Sequence, residues 1–419
     1  MNTLENRFRQ SLLDPKTFSV TWELVPGRGA REEAQQNVLA AAERAARGGR
    51  VHALTITDNP GGNPAILAGC LGAEVLRLGI EPLIHFTCKD KNRNQIESEL
   101  YALDRAEVRN LLVMSGDYPA TGFQGRPAPV FDLDPIHVFD LIVQMNRGLE
   151  YPGLKGTVRH QKSEFFPGAA VSPFKATEAE QMVQYFKLRK KIGAGAQFVV
   201  TQLGYDARKF HEALQFMRIG GLDVPLVGNI YVLTFGAAKL MNQNRIPGCV
   251  VTDKLLTALD RERTEPDKGV KARLLRAARM YAFMKGMGFS GVHIGGHNLK
   301  YEEVEEIIAR GESLAPVWQE LIAHFNYPQP DGFYLYEKDP GTGLNTEVLT
   351  ERKGRTLDAP VGLSYRNSRF FHRLMFEPEK KLFGAMRWVC RSVKGTRIEG
   401  LFHKLEHLSK VLLFDCKDC

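Results

Sequence analysis

The 419-residue chain has no apolar stretch that reaches the roughly 20 residues a helix needs to cross a bilayer. Its N-terminal residues alternate polar and apolar side chains and lack the apolar central region of a secretory signal peptide. Its six cysteines are too few for a disulfide framework in a chain of this length, so we expect reduced thiols. These absences predict a cytoplasmic protein that does not enter a membrane.

Sequence signatures of nucleotide and nucleic-acid binding are also missing. No G-x-G-x-x-G follows a predicted strand, no phosphate-binding Walker loop is present, and there is no zinc-finger spacing or dense Lys/Arg run. The formal net charge is +8, and residues 351–419 carry most of the excess, with 15 Lys and Arg against 8 Asp and Glu. A solvated basic face explains this charge, so we expect no nucleic-acid partner.

Apolar, β-rich segments alternate with segments of helical periodicity along most of the chain. Eight segments predict strands, at 17–25, 51–57, 82–87, 110–115, 169–172, 196–202, 225–230 and 291–294. Capping residues predict where the intervening helices begin: Asn92, Asp134, Thr177 and Asp206. The alternation favours a parallel sheet, and the missing dinucleotide motif disfavours a doubly wound one. Because eight is the barrel number, we predict an α/β fold with a TIM (β/α)8 barrel.

The composition and the hydrophobic periodicity of the chain change after the predicted barrel domain, residues 1–325. Residues 326–367 hold Pro, Gly, Asp and Thr with few periodic apolar residues, which predicts an extended linker. Residues 368–419 regain helical periodicity, which predicts a small basic, mainly helical C-terminal extension. The extension ends in a C-x-x-C formed by Cys416 and Cys419. Two thiolates are only half of a tetrahedral site, so we predict no metal.

Polar residues follow the apolar runs at what would be one end of the barrel. Glu23, Thr55, His85 and Asp117 are spaced by 30 to 32 residues, as successive strand ends would be, and Gln202 ends a later strand. Because catalytic groups in TIM barrels lie at the carboxyl ends of the strands, we expect these side chains to share one rim.

Three of these residues suit chemistry, although each also has an ordinary structural interpretation. Apolar neighbours would desolvate Glu23 and raise its carboxyl pKa, as a general acid requires, but an ion pair would fit as well. Asp117 follows Gly116, whose missing side chain lets a ligand approach the backbone, but a capped turn would have the same sequence. Gln202 offers a donor and an acceptor that suit a pterin, or it could anchor a loop.

The histidines give no metal-binding pattern. His85 has no carboxylate or second histidine near it in sequence at ligand spacing, so a structural role is the better interpretation. His293 and His297, in H-I-G-G-H, lack a helical scaffold and the glutamate of H-E-x-x-H. We interpret them as the last strand and its loop.

Six segments together resemble the methylenetetrahydrofolate reductase family. In chain order they are W-E-L-V-P-G, A-L-T-I-T-D-N, H-F-T-C-K-D-K-N-R, S-G-D-Y-P, K-K-I-G-A-G-A-Q-F-V-V-T-Q and N-R-I-P. The resemblance implies a barrel enzyme that binds FAD at its top. NADH or NADPH would give a hydride to FAD, which would reduce 5,10-methylenetetrahydrofolate to 5-methyltetrahydrofolate, or run the reverse oxidation.

The resemblance also implies roles for individual residues. Glu23 matches the general acid that opens the imidazolidine ring of the folate, and Asp117 matches the aspartate beside the flavin and the pterin. Gln202 matches a folate-contacting glutamine, and Met241 stands where many relatives carry an aromatic ring that stacks on folate. The positions matching FAD contacts are Thr55, His85, Ser115, Gly116, Asp117, Phe131 near the adenosine half and Lys191 at the phosphates.

Two departures from the family pattern concern the cofactor. Many relatives have Y-P-x-x-H-P-E between strands five and six, whereas this chain has P-G-A-A-V-S-P-F, with Ser172 and no histidine. A nearby acidic position of some relatives is Gln184 here. We therefore expect some contacts to the FAD ribityl chain and pyrophosphate to differ from those of the family.

Two other functions remain open from sequence. One is a flavin-free component of a folate-dependent methyltransferase or demethylase, and the other is a non-catalytic partner of a redox complex. The C-terminal extension resembles one found in a subset of the family. Through it, the chain could form a homo-oligomer or bind a protein partner.

Overall fold

The computed structural model describes residues 6–246 and 248–351, with a few single positions between 363 and 392. Its strands are β1 (Ser19–Leu24), β2 (Ala53–Ile56), β3 (Glu81–Thr87), β4 (Asn110–Met114), β5 (Glu150–Gly153), β6 (Gly156–Arg159), β7 (Phe166–Val171), β8 (Phe198–Thr201), β9 (Leu226–Tyr231), β10 (Gly291–Gly295), β11 (Tyr336–Lys338) and β12 (Asn345–Leu349). Eight of them close into a parallel barrel in the order β1-β10-β9-β8-β7-β4-β3-β2. The predicted TIM barrel is confirmed.

The helices of the described chain are α1 (Arg7–Leu13), α2 (Glu33–Gly48), α3 (Ala68–Arg77), α4 (Arg93–Arg105), α5 (Pro135–Arg147), α6 (Glu178–Gly193), α7 (Ala207–Ile219), α8 (Phe235–Asn242), α9 (Asp253–Glu262), α10 (Val270–Met287), α11 (Tyr301–Leu314) and α12 (Trp318–Leu321). Each of the four predicted N-caps accepts a hydrogen bond from a backbone N–H in the first turn of its helix. A cap of this kind stabilises a helix by about 1 kcal/mol. These four helix starts are therefore confirmed.

Each predicted strand overlaps one strand of the barrel. The largest difference is at β7, which begins at Phe166 and not at 169. The prediction began too late because Pro167 and Gly168 are residues that usually disfavour strands. An antiparallel hairpin of β5 and β6, which the sequence does not predict, lies between α5 and β7.

Alternate residues of each barrel strand point into the barrel and into the surrounding helix layer. In β3, Ile84 and Phe86 belong to the core between strands and helices, whereas Leu83 belongs to the cluster inside the barrel. His85, two residues after Leu83, therefore points inward at the carboxyl end of the strand. The same periodicity orients the other residues at this rim.

The amino end of the barrel is closed by α1, which the sequence does not predict. Phe8 is fully buried, with its ring edge-on to Phe166 at 6.1 Å and to Phe198 at 5.6 Å between centroids. Phe166 and Phe198 are the first residues of β7 and β8. Because this end is plugged, a ligand reaches the barrel interior from the carboxyl end.

The chain divides into two compact units, Met1–Thr350 and Glu351–Cys419. The first part of the predicted linker therefore belongs to the barrel unit, where β11 and β12 form an antiparallel hairpin. The predicted C-terminal extension, with Cys416 and Cys419, lies outside the described residues apart from a few single positions.

The hairpin is bound to α7 by buried polar groups. Asn345 accepts from Arg208 Nε at 2.8 Å, and its own amide donates to the Arg208 carbonyl at 2.8 Å. The backbone N–H of Leu335 donates to Glu212, whose side chain is fully buried. This segment is thus an ordered part of the barrel unit.

Across the described part of the chain, no helix combines the length and apolar character that a bilayer crossing demands.

Candidate functional site

The first and last barrel strands bring together a carboxylate and an imidazole that lie 270 residues apart. Nε2 of His293, in β10, is 3.4 Å from Oε2 of Glu23, in β1. The other ring nitrogen, Nδ1, lies 2.9 Å from the Thr21 hydroxyl and 3.4 Å from the Thr55 hydroxyl. His293 is therefore held by hydrogen bonds on both sides of its ring.

The pKa of Glu23 is governed by this pairing. Burial raises it, but the hydrogen bond and charge of His293 outweigh that effect and leave the pKa below its ordinary value. The raised pKa predicted from sequence is therefore wrong for the free site. The sequence shows the apolar neighbours of Glu23 but not the histidines that the barrel brings to it.

His85 completes a compact group with this pair. The potential ligand atoms of Glu23, His85 and His293 all lie within 4.8 Å of one another, so together they could hold a metal ion. The sequence predicts no ligand partner for His85, but in the fold Glu23 and His293, from two other strands, lie beside it. The absence of a metal stays a prediction.

His85 is also notable for an unused polar atom. Burial lowers the pKa of His85 to about 4, so its ring is neutral at physiological pH. Its buried Nε2 has no hydrogen-bond partner among the described residues, and the same holds for the hydroxyls of Thr57 after β2 and Ser172 after β7. They are three of ten such atoms among the described residues, and their place at the carboxyl ends of β2, β3 and β7 lets a ligand or water at the rim satisfy them.

Asp117 lies in the loop after β4 and is exposed. Its Oδ2 accepts from the backbone N–H of Gly61 at 3.1 Å, and the Ala120 N–H donates to the Gly62 carbonyl at 2.9 Å. Gly62 has a φ of +72°, and a Cβ there would stand 2.1 Å from the Tyr118 carbonyl oxygen. The loops after β2 and β4 are therefore bound to each other, which fixes the position of Asp117.

The other predicted cofactor contacts on this loop lie on either side of Asp117. Ser115 is exposed, and Gly116 has a φ of +86°, with the site of a missing Cβ only 2.8 Å from Lys89 Cδ. Phe131 lies further along, with its ring edge-on to that of Tyr118 at 5.4 Å. Gly116 is thus required both by its backbone conformation and by close packing.

A buried ion-pair network lies beneath the rim, at the ends of β2 and β3. Nζ of Lys91 lies 2.8 Å from Asp58 and 2.9 Å from Glu99, and Asp58 also accepts from the Thr87 backbone and hydroxyl. The Lys91, Asp58 and Glu99 side chains are all nearly inaccessible to solvent. The segment C-K-D-K-N-R therefore has a structural role that joins the ends of β2 and β3 to α4.

Gln202 follows β8 at the same rim. Its Oε1 accepts from the backbone N–H of Leu203 at 2.8 Å, and its Nε2 lies 3.7 Å from where a Cβ on Gly248 would stand. Cys249, which follows Gly248, has its pKa raised to about 12 by burial, and the charges of Asp117 and Glu23 act in the same direction. The segment after N-R-I-P thus packs against the site.

Tyr231 and Gly295 are paired in register at the ends of β9 and β10. A Cβ on Gly295 would stand 3.2 Å from Oε1 of Glu23 and 3.6 Å from Cδ2 of Tyr231. Sequence reasoning missed Tyr231 and gave His293 no role. The alternation of strand residues, counted from Val227 in β9 and Gly291 in β10, places both side chains inside the barrel.

Three predicted site residues lie elsewhere. Thr55 is fully buried beneath the rim, and its hydroxyl faces His293. Met241, on α8, is 5% exposed and belongs to the core outside the barrel wall. Lys191, on α6, donates to the Ala170 carbonyl at 2.7 Å, and burial lowers its pKa to about 8. The rim therefore gathers Glu23, His85, Asp117 and Gln202, but not these three.

Comparison with known proteins gives a consistent result. The sequence model of the family described as methylenetetrahydrofolate reductase matches residues 7–310. Methylenetetrahydrofolate reductase 1 of Schizosaccharomyces pombe is 24% identical over 294 residues, which cover 67% of this chain and 45% of the relative. A probable methylenetetrahydrofolate reductase (NADPH) of Caenorhabditis elegans is 24% identical over 256 residues, which cover 58% of this chain and 35% of the relative. The chain thus spans less than half the length of these relatives.

Among solved structures, the chain is similar to an uncharacterised protein from Clostridium thermocellum that binds two copies of 5-methyl-5,6,7,8-tetrahydrofolic acid. The TM-score is 0.50 at 14% identity, covering 74% of this chain and 99% of the other. This likeness supports the fold alone.

Proposed function

The chain belongs to the methylenetetrahydrofolate reductase family, and on that premise we propose that it reduces 5,10-methylenetetrahydrofolate to 5-methyltetrahydrofolate, or catalyses the reverse oxidation. NADH or NADPH would be the hydride partner, and FAD would carry the hydride. The observation that carries the proposal is the pair of Glu23 and His293 at the open end of the barrel. The reaction needs a proton for the nitrogen that leaves the one-carbon bridge, and this pair can hold one.

The unpaired polar atoms of the rim fit a flavin. The hydroxyl of Thr57, Nε2 of His85 and the hydroxyl of Ser172 lie at the carboxyl ends of β2, β3 and β7, and a polar heterocycle with a ribityl chain would satisfy such atoms. FAD supplies the hydride transfer when it is bound. In this proposal Thr57 replaces Thr55, whose side chain is fully buried.

The remaining cofactor contacts keep the roles that the family resemblance implies. Ser115 and Gly116 would meet the cofactor through the loop after β4, and Phe131 would lie near the adenosine. Lys191 would bind the phosphates, for which its ammonium must leave the Ala170 carbonyl. Burial disfavours the charged form of Lys191. A phosphate beside the ammonium would offset that effect and stabilise the charged form.

The threonine hydroxyls allow His293 to pass a proton to Glu23. A hydroxyl can donate or accept, so Thr21 can bond to Nδ1 of His293 whether or not that nitrogen carries hydrogen. A proton between Nε2 of His293 and the Glu23 carboxylate can therefore move to the carboxylate while Nδ1 keeps its hydrogen bond to Thr21. The acidic proton would then lie on Glu23.

Substrate binding favours this transfer. In the free site the contact with His293 keeps Glu23 ionised, because it lowers the Glu23 pKa. A bound folate would exclude water from the rim, and desolvation disfavours two charges more than a neutral pair. Glu23 would then protonate the leaving nitrogen, the C–N bond would break with its electron pair on that nitrogen, and the one-carbon unit would be ready to accept a hydride.

Asp117 and Gln202 would orient the ring system. The Gly61 N–H leaves capacity on the Asp117 carboxylate, which can accept from the amino edge of a pterin. The Gln202 amide nitrogen can donate to the same heterocycle, because its oxygen is already bound by the Leu203 N–H. The two residues follow β4 and β8, which have one strand, β7, between them, and so approach the ring from neighbouring sectors of the rim.

The experiment that tests the proposal is an absorption spectrum of the purified chain with FAD. Anaerobic addition of NADH or NADPH should bleach the flavin, and addition of methylenetetrahydrofolate should restore the colour. A chain that takes up no FAD would overturn the reductase and leave the flavin-free folate enzyme or the redox partner. A flavin that bleaches but is not reoxidised by the folate would contradict the proposed substrate.

A further inference from the structure

We propose that Tyr231 is a substrate-binding residue, an aromatic wall against which the folate ring that carries the one-carbon unit packs. The inference rests on the proposed function and deepens it. It assigns the aromatic contact with the substrate to the end of β9, and not to the position on α8 that the family pattern suggests.

The ring of Tyr231 borders the carboxyl mouth of the barrel beside Gly295, and it also packs against the outer core. Val227, in the same strand, belongs to the cluster inside the barrel, and Gly228 faces Met284 of α10 on the outside. Alternation along the strand therefore points Asn229 and Tyr231 inward, with Tyr231 at the carboxyl end. Its side chain is partly exposed, unlike the fully buried aromatic rings of the core.

The missing side chain of Gly295 opens a space between Tyr231 and Glu23. The position where its Cβ would stand is within 3.6 Å of the Tyr231 ring and 3.2 Å of the Glu23 carboxylate, so both groups border the same small volume. Burial raises the pKa of Tyr231, and the charge of Glu23 raises it further, so the phenol stays neutral. A neutral aromatic face beside an acid is suited to a ring that must be protonated at its edge.

Tyr231 is held in place before any ligand arrives. Its carbonyl accepts from the Tyr205 hydroxyl at 2.9 Å, and the next residue, Val232, donates its N–H to the Gly295 carbonyl at 2.8 Å. The phenolic oxygen interacts with the backbone N–H of His297. A ring fixed in this way costs little conformational entropy when a ligand packs on it.

The position of the wall fits the polar groups around it. The barrel order is β1, β10, β9, β8, so Tyr231 lies between the Glu23 carboxylate on one side and the Gln202 amide on the other. Met241, the residue that matches the aromatic position of the family, is buried in the outer core. The aromatic surface next to the acid is therefore supplied by Tyr231.

The test compares Tyr231→Ala, Tyr231→Leu and Tyr231→Phe, with Tyr151→Ala as a control, because Tyr151 is an exposed tyrosine on the β5–β6 hairpin. We expect Tyr231→Ala and Tyr231→Leu to raise the KM for methylenetetrahydrofolate and the Kd for 5-methyltetrahydrofolate about tenfold, the size of one aromatic contact. Tyr231→Phe keeps the aromatic face and should stay within about twofold of the unsubstituted protein. Tyr151→Ala should leave both half-reactions unchanged.

The outcomes separate this inference from the proposed function. If the unsubstituted protein turns over folate and Tyr231→Ala binds 5-methyltetrahydrofolate equally well, Tyr231 is not a substrate contact, while the proposed reductase function is retained. If Tyr231→Leu alone retains tight binding, bulk and not aromaticity is what the site requires, which also overturns the inference. If the unsubstituted protein neither takes up FAD nor binds the folate, the proposed function itself fails. Should Tyr231→Ala not fold, the Leu and Phe variants decide.

Discussion

His293 Nε2 lies 3.4 Å from Glu23 Oε2 at the seam where the first and last strands close the barrel. Neither residue is informative alone, since one is an isolated acid and the other an isolated imidazole. Together they form a hydrogen-bonded pair, which the proposed reaction uses to hold a proton. This pair exists only because the barrel closes.

Replacing Glu23 with Gln should separate the two half-reactions. The amide has nearly the same shape but cannot donate an acidic proton, so folate reduction should fall by at least about 10²-fold, the lower range for general acid catalysis. Flavin reduction by the nicotinamide needs no proton from Glu23 and should be spared. Stopped-flow absorbance of each half-reaction measures this. Full folate reduction in the variant would remove Glu23 as the acid.

Replacing His293 with Ala should shift the pH dependence of the folate half-reaction upward. His293 lowers the pKa of Glu23, so without it burial dominates and raises that pKa. A Glu23 that keeps its proton to higher pH moves the alkaline limb of the rate profile to higher pH, with a lower maximal rate. His324→Ala, at an exposed histidine, is the control. An alkaline limb that stays in place would contradict the coupling.

Replacing Gly295 with Ala should impair folate turnover without unfolding the barrel. The new methyl group would stand 3.2 Å from the Glu23 carboxylate, so the acid or the substrate must shift by a few tenths of an ångström. Gly193→Ala, on α6, is the matched control, since nothing lies within 4 Å of its added Cβ. That control should be neutral or stabilise the fold by about 0.5–1 kcal/mol. Equal folate kinetics in the two variants would show that the space beside Gly295 is not used.

Replacing Lys91 with Met should destabilise the fold by about 3–5 kcal/mol, because it leaves two buried carboxylates without their cation. Arg44→Met breaks only the exposed ion pair with Glu302 and should cost at most about 1 kcal/mol. Urea unfolding measures both. A loss no larger for Lys91 than for Arg44 would show that the buried network does not hold the loops.

The same network predicts an acid dependence of stability. Burial raises the pKa of Asp58, but the charge and hydrogen bond of Lys91 outweigh it, so the folded-state pKa lies below the ordinary 3.8. Its contribution is therefore present above pH 3.8 and is lost as the pH falls through the folded-state pKa. In the Lys91→Met variant only the two Thr87 hydrogen bonds still oppose the effect of burial on the Asp58 pKa, so this loss on acidification should become smaller. Urea unfolding on both sides of that pH tests it.

Local signals in the sequence account for most of the barrel. The caps at Asn92, Asp134, Thr177 and Asp206 act within a few residues of the chain, so sequence reasoning finds them. The rim residues Glu23, His85, Asp117 and Gln202 also follow from strand ends, because parallel strands end on one side.

What sequence reasoning missed depends on contacts between distant strands. The contact of His293 with Glu23 exists only where β10 meets β1, and the spacing within H-I-G-G-H gives no sign of it. The pKa of Glu23 has the opposite direction from that predicted, because its partner lies 270 residues away. Met241 matches a family position, yet helix α8 turns it into the core.

The bond between α7 and the terminal hairpin has a consequence for how the protein is made. Arg208 meets Asn345 only after a further 137 residues of chain have been synthesised. At about 5–20 residues per second, a ribosome needs roughly 10 s to deliver them. Until then the Leu335 N–H, which donates to the buried Glu212 carboxylate in the finished protein, is also missing. A version that ends at residue 310, where the match to the family model ends, would lack these contacts, so any shortened version should retain the chain to Thr350.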